Sequence, residues 1–325
     1  MNVFAQVPLP ESPTEHGVER ARASIVTWVK SDALQALVQA FDGTPQDGSL
    51  ASMLAWLDDF SEQKWDYRKG QERNLAQSED FDSPTEDLIL AAADALGLMA
   101  GRSPRFSRYD HMLILGGLVR ACVLRPRLAR SLVDEGLEVG EITALGAFRP
   151  LRGDEHSLSE AAGLSGLENE VEAMEAGMRQ AFHLKEPAAV DADESAENPN
   201  LYRHQARYEA SSPITVVAAP SSDPTRRANT PDTYHYWAEH IAHLAEQRGP
   251  RVLLVTSAIY VPFQHADAIR MLGLPYDAVV DTIGVDPKKV DDEALRQQFA
   301  PTSYLQEVRS AIRALGNLAA ALNVG

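Results

Sequence analysis

Apolar residues recur at helical spacing through the first hundred positions. Ile25, Val26, Val29, Leu34, Leu37, Val38 and Phe41 follow that spacing, and Gly43-Thr44-Pro45 stops the segment. Leu50, Met53, Leu54, Leu57 and Phe60 line one face of a second helix. A polar stretch follows, from Glu62 to Ser83. Ser83-Pro84-Thr85-Glu86 then predicts a third helix start, with Ser83 as N-cap, Pro84 in the first helical position and Glu86 at N3. That helix carries Leu88, Ile89, Ala92, Leu96 and Met99 and ends near Gly101.

Beyond this point the rhythm changes. Residues 111–115, 141–145, 214–219, 251–256 and 278–283 are short, nearly continuous apolar runs that end in small or turn-forming residues. Helical patterns run on from Gly117 to about Glu135, over 169–182, and from Thr230 through Trp237, Ile241 and Leu244. Apolar strands alternating with helices predict a sheet buried on both faces. The fold class is therefore α/β: a Rossmann-like three-layer α/β/α sandwich with a mainly parallel sheet, plus an N-terminal helical region. Residues 1–20, with Pro8, Pro10 and Pro13, read as a flexible tail. Residues 21–105 read as a helical cap, and 106–325 as the α/β domain. Residues 185–199 are acidic and hold one large hydrophobe, Val190, which predicts a solvated loop; an acidic metal-binding loop is the sharper alternative.

Composition narrows the function classes. The 325 residues include 30 Lys plus Arg and 47 Asp plus Glu, a net charge of −17. Such a surface lacks the basic footprint of a general nucleic-acid binder and is repelled by anionic membranes. The only cysteine, Cys122, rules out an intrachain disulfide and a cysteine zinc site. No secretory leader is expected at the N-terminus, and the most apolar run, 88–100, is too short to span a bilayer. A cytoplasmic location is the expectation.

In an open α/β sheet, ligands bind beyond the carboxyl ends of the strands. Five groups of residues fall there or could be laid over it. Gly116 and Gly117 after the first run let backbone amides approach a ligand, with Arg120 and Arg125 on the next helix. Arg149, Arg152, Asp154 and Glu155 follow the second run, as ion pairs or as a site; among Glu168, Glu170 and Glu172, Glu170 is the best placed to join them. Arg226 and Arg227 precede Asn229-Thr230-Pro231-Asp232, which is either a well-built helix start or an anion site at one. Thr256, Ser257, Tyr260 and Gln264 lie at or just past the tip of the fourth run, where hydroxyls cap a helix or orient a ligand. No Gly-x-Ser-x-Gly elbow surrounds Ser257. Arg68 and Arg73 lie in the polar stretch that a helical cap could bring over a pocket. His235, His240 and His243 flank a buried helix face and do not form a metal motif.

The order LILGG, RRANTPDTYHYWAEHI, RVLLVTSAIYVPFQHADAIRML resembles the YdcF/SanA-like family over roughly residues 110–321. Asn229, Thr230, Thr256 and Ser257 match its motifs. Asp232 and Thr233 stand where that family has Glu-Asn, Tyr260 replaces its histidine, and Gln264 falls in its arginine region. The resemblance implies a Rossmann-like fold, a nucleotide-like or phosphorylated ligand at the glycine loop, and Glu307 as a late pocket residue. It settles no reaction, and the cofactor stays unknown. Many members of that family carry a membrane anchor; a chain without one fits a cytosolic variant.

The functional expectation is an enzyme, a hydrolase or transferase, acting on a small polar or anionic metabolite. Glu155, Ser257 and Tyr260 are its catalytic candidates. Gly116, Gly117, Arg149, Arg152, Arg226, Arg227, Asn229, Thr230, Thr256, Gln264, Glu307, Arg68 and Arg73 are its ligand-binding candidates. Two alternatives stand beside it: a non-catalytic metabolite-binding regulator, and an interaction protein that recruits a partner through its N-terminal helices.

Overall fold

The computed structural model describes residues 4–69 and 79–323. Its elements, in chain order, are α1 (Pro13–His16), α2 (Val18–Val29), α3 (Asp32–Ala40), α4 (Leu50–Trp65), α5 (Ser83–Ala95), β1 (Arg108–Ile114), α6 (Val119–Asp134), β2 (Glu138–Gly146), α7 (Glu155–Ala161), α8 (Glu170–Phe182), β3 (Ala189–Asp193), β4 (Arg203–Tyr208), β5 (Ile214–Ala218), α9 (Thr230–Tyr236), β6 (Arg251–Ser257), α10 (Val261–Ala268), α11 (Leu274–Tyr276), β7 (Val279–Val285) and α12 (Pro301–Ala321). They divide into two compact units. One comprises residues 1–101, 258–274 and 298–325; the other comprises 102–257 and 275–297.

The second unit holds a seven-stranded sheet in the order β3-β4-β5-β2-β1-β6-β7. From β5 to β7 every neighbour is parallel, and β4 and β3 add an antiparallel margin. The fold is thus α/β with a mainly parallel sheet. The chain starts at β1, moves outward through β2 to β5 on one side, and resumes at β6 on the other. That reversal makes the gap between β1 and β6 the topological switch point, where the carboxyl ends of neighbouring strands open a crevice.

Helices cover both faces of the sheet, which is why the parallel strands are apolar without alternation. On one face Met112, Ile114, Ile142, Ala144, Val216, Leu253 and Val255 join Cys122 and Val123 of α6 and Val171, Met174 and Met178 of α8 in one core. On the other, fully buried Trp237 donates its indole N–H to Thr143 Oγ1 at 3.2 Å and meets His111 edge to face. The α6–α8 crossing turns on a proline and a glycine. Pro126 has no N–H to give the carbonyl four residues back, that of Cys122. A Cβ on Gly177 would lie 1.9 Å from that same oxygen. The two backbones meet at this point because neither residue puts anything between them.

The margin of the sheet differs from the sequence expectation. Residues 185–199 contain β3, whose residues are all exposed and which pairs with β4 through its backbone and a surface ion pair between Asp191 and Arg203. An element that buries no side chain leaves no apolar signal to read.

In the helical unit, Ile25, Trp28, Leu34, Leu37, Trp65, Ile89, Leu305 and Leu315 are buried to 1% exposure or less. Trp65 presents its ring edge-on to Phe41 at 5.8 Å and Phe60 at 5.2 Å. Arg309 of α12 donates to Asp58 Oδ1 at 3.1 Å and Ser61 Oγ at 3.2 Å, so α4 and α12 are tied by a buried cation as well as by apolar contact. The proline-rich leading segment is held down: Val7 is buried and donates its N–H to Ala95 O at 2.8 Å, and Pro10 O lies 2.9 Å from His265 Nε2. Asp82, not Ser83, caps α5 and accepts the Thr85 N–H at 3.0 Å. Among the described residues, no helix is long and apolar enough to cross a membrane.

Candidate functional site

β1 ends at Ile114 and the first N–H of the next residue, Leu115, still pairs with Val255 O. Gly116, Gly117 and Leu118 then carry the chain into α6. None of the described residues accepts a hydrogen bond from the N–H of these three. Gly116 is required here on steric grounds: a Cβ would lie 2.3 Å from Glu170 Oε1 and 2.6 Å from Leu145 O. Leu118 is the N-cap of α6 and supplies no side-chain cap. A run of unpaired amides at the start of a 16-residue helix forms a partly positive surface.

Three charged side chains are built around this loop. Arg149, just past β2, donates Nη1 to Glu155 Oε2 at 2.7 Å, Nη2 to Glu155 Oε1 at 2.9 Å and Nε to Glu170 Oε2 at 3.0 Å. Its Nη2 also reaches Gly117 O at 3.2 Å. Glu155 begins α7 and Glu170 begins α8, where Asn169 caps the helix and Gly146 lets its backbone approach β2. All three side chains are buried.

The two carboxyls differ. Burial alone would raise Glu155, but Arg149 and the N–H groups of Val119 and Arg152 outweigh it, so this carboxyl ionises below its ordinary range. Burial dominates at Glu170, and the attraction of Arg149 and Arg125 does not offset it, so this carboxyl titrates above its ordinary range. Glu155, expected as the acid or base, is thus the fixed anion.

Ser257 closes β6, half-buried, and its Oγ accepts from Arg125 Nη2 at 3.2 Å. Arg125 Nη1 donates to Leu115 O at 2.6 Å and also to Gly116 O. One buried guanidinium therefore links the ends of β1 and β6 across the switch point. The sequence offers Arg125, like Arg120, only as a residue on the helix that follows the glycines. It falls in the middle of α6, and only the crossing of that helix over the strand ends brings it there.

Elsewhere the sequence candidates separate. Thr256 is fully buried inside β6, paired with Gly284. Arg152 is exposed and contributes its N–H to Glu155. Arg226 is paired with Asp232, which also accepts from Ser222 and from the Asn229 N–H. Asn229 in turn accepts the Asp232 N–H at 3.1 Å, a complete capping box that begins at Thr230. Burial opposes ionisation of Asp232, yet Arg226, Ser222 and the two N–H groups hold it well below the usual carboxylate range. These residues make a self-contained helix start. Arg227 is exposed.

Tyr260, Gln264, Arg68 and Glu307 belong to the helical unit. There Arg68 pairs with buried Glu307, and its N–H donates to Gln306 Oε1 at 3.0 Å. Tyr260 meets Phe263 and Phe299 edge to face, and Gln264 is buried. Arg73 lies outside the described residues.

Residues 12–97 match the family model of the Rv3785 N-terminal domain. The protein Rv3785 of Mycobacterium tuberculosis (strain ATCC 25618 / H37Rv) is 32% identical over 345 residues, which cover 98% of this chain and 95% of the relative. Mb3814 of Mycobacterium bovis matches to the same extent, at 32% identity over 98% of this chain and 95% of its own length. The chain belongs to the Rv3785 family. The names of these relatives assign no activity. This membership corrects the resemblance to the YdcF/SanA-like family, which no match supports. The motifs behind that resemblance are a strand ending in Gly-Gly, an Asn cap and hydroxyls at a strand tip. Each solves a local folding problem that any open α/β sheet meets. No solved structure matches this Rv3785-family chain.

Proposed function

We propose that this chain is an enzyme that binds a small polar metabolite through an anionic oxygen-bearing group. The loop Gly116–Gly117–Leu118 and the hydroxyl of Ser257 hold that group, and Glu170 exchanges a proton with the bound molecule. The observation that carries this is the row of three backbone N–H groups without an acceptor at the switch point between β1 and β6. Ser257 Oγ already accepts from Arg125, so its own hydrogen is left to donate to an acceptor on the ligand. Arg125 brings positive charge to the strand ends in spite of the net charge of −17, while Arg149 is matched by Glu155 and Glu170. Glu170, raised by burial and lying against Gly116, has the character of a general acid or base. Such chemistry suits transfer or hydrolysis at a phosphoryl or carboxyl centre in a cytosolic setting, where a lone thiol such as Cys122 stays reduced.

Titration calorimetry of the full chain with inorganic phosphate, followed by a panel of small carboxylates and phosphorylated metabolites, tests this. Leu118→Pro removes one donor at a residue whose φ of −67° already suits proline. It should weaken binding about tenfold, the worth of one hydrogen bond to a charged group. Unchanged affinity would take the loop out of the function. Glu170→Gln should keep binding and slow turnover by about 10²–10⁴-fold. Binding with no turnover of any bound compound would mark a regulator instead.

A further inference from the structure

β3 closes one margin of the sheet, and among the described residues only β4 pairs with it. Every residue of β3 is exposed. The exposed large hydrophobics among the described residues are Val18, Val190 and Leu201, and Val190, in the middle of β3, is the most exposed at 55%. An open strand edge takes up another strand unless proline, a bulge or free charge guards it. β3 contains no proline, and Asp191 is already held by Arg203 Nη1 at 2.6 Å.

We infer that a second copy of this chain adds to this edge, β3 against β3 and antiparallel, about a two-fold axis through Val190. The two sheets become continuous, and each copy offers the same surface to the other. The side-chain pattern fits this register on both faces. Val190 lies beside Ala206 of β4, so one row across the four middle strands reads Ala206, Val190, the partner's Val190 and the partner's Ala206. That row is small and apolar throughout. On the opposite face Ala189 lies beside Arg207, and Asp191 beside Gln205. The row there reads Arg207, Ala189, the partner's Asp191 and the partner's Gln205.

Arg207 is exposed and makes no ion pair among the described residues. Its long side chain passes over the methyl group of Ala189 to the partner's Asp191, and the two-fold axis makes this contact twice. Registers centred further along the strand lack this fit. Centred on Asp191, the pairing sets two Asp191 carboxylates opposite each other. Centred on Ala192, it sets Asp191 against the partner's Asp193. Like charges directly opposite are destabilising.

A five-residue edge buries far less than the roughly 1,600 Å² of a standard interface, so the dimer is weak. Sedimentation velocity of the full chain from about 1 to 300 µM should show a monomer–dimer equilibrium with a midpoint of about 10–100 µM. Val190→Lys sets two ammonium groups opposite each other at an exposed position. It should raise the midpoint at least about tenfold and leave the melting temperature as in wild type. Val190→Cys should form a disulfide-linked dimer under mild oxidation, because directly opposed Cβ atoms lie about 4.5–5.5 Å apart. Asp191→Cys should not, and the native Cys122 is buried and takes no part. A monomer throughout the concentration range overturns the inference. So does a dimer whose midpoint Val190→Lys leaves in place, or one that Asp191→Cys links more readily than Val190→Cys. None of these readouts depends on the loop after β1.

Discussion

Arg149 stands between Glu155 and Glu170, two buried carboxyls that come from the first residues of two different helices. The planar fork of arginine satisfies both at once, and Lys cannot reproduce that geometry. Arg149→Met should destabilise the protein by about 3–5 kcal/mol, because it strands buried negative charge. Arg149→Lys should recover only part of that loss. Urea unfolding at neutral pH measures both; a Met variant as stable as wild type would show that the two carboxyls are neutral.

Glu170 should make stability fall as pH rises. Its folded-state carboxyl holds a proton above the value it has in the unfolded chain, so the native state binds more protons across that interval. Stability is highest below the ordinary carboxylate range and is lost as pH climbs through the raised value. Glu170→Gln should remove this component. The melting temperature of the variant relative to wild type should therefore rise with pH from about 4 upward. A constant difference would mean that Glu170 titrates normally.

Gly177 lies in α8, where Ala ordinarily improves a helix by about 1 kcal/mol. Gly177→Ala should do the reverse and cost about 1–3 kcal/mol, since the new methyl meets the Cys122 carbonyl across the α6–α8 contact. Denaturant midpoints give the sign directly. A stabilised variant would show that the two helices can part without loss.

Asp232 behaves opposite to Glu170. Its carboxyl is held below the ordinary value, so its contribution is complete at neutral pH and disappears as pH falls through the ordinary range toward the depressed one. Asp232→Asn should cost about 0.5–2 kcal/mol at pH 7, mainly as a lost cap, because the paired Arg226 is 39% exposed and screened by solvent. The deficit should shrink in acid. Thermal melts from pH 7 down to about 3 follow it.

Five strands could be read from sequence because each buries most of its length and leaves a nearly continuous apolar run. β3 could not, since it is wholly exposed, and β4 pairs as its antiparallel neighbour without a comparable run. Gly116-Gly117 was legible as a loop for backbone approach. Leu118 was not, because what it adds to the loop is an open N–H, which every residue but proline has. The arginines were legible as charges but not as partners. Arg226 is matched by a residue six positions on, whereas Arg149 also binds Glu170, 21 positions away, and Arg125 donates to Ser257, 132 positions away.

By itself the sequence determined the class of fold, the helical character of the first hundred residues, and the strand ends where polar groups gather. Those follow from periodicity and local capping, which act over one or two turns of chain. Tertiary structure alone decided that residues 258–274 and 298–325 complete the helical unit, that Arg125 spans two strand ends, and which of two glutamates is raised and which lowered from its ordinary range. Burial and charge pairing are set by what comes close in space. Two carboxyls that share one guanidinium diverge because Glu155 takes two of its bonds and two backbone N–H groups besides, which outweigh burial, while at Glu170 burial outweighs the attraction of the arginines.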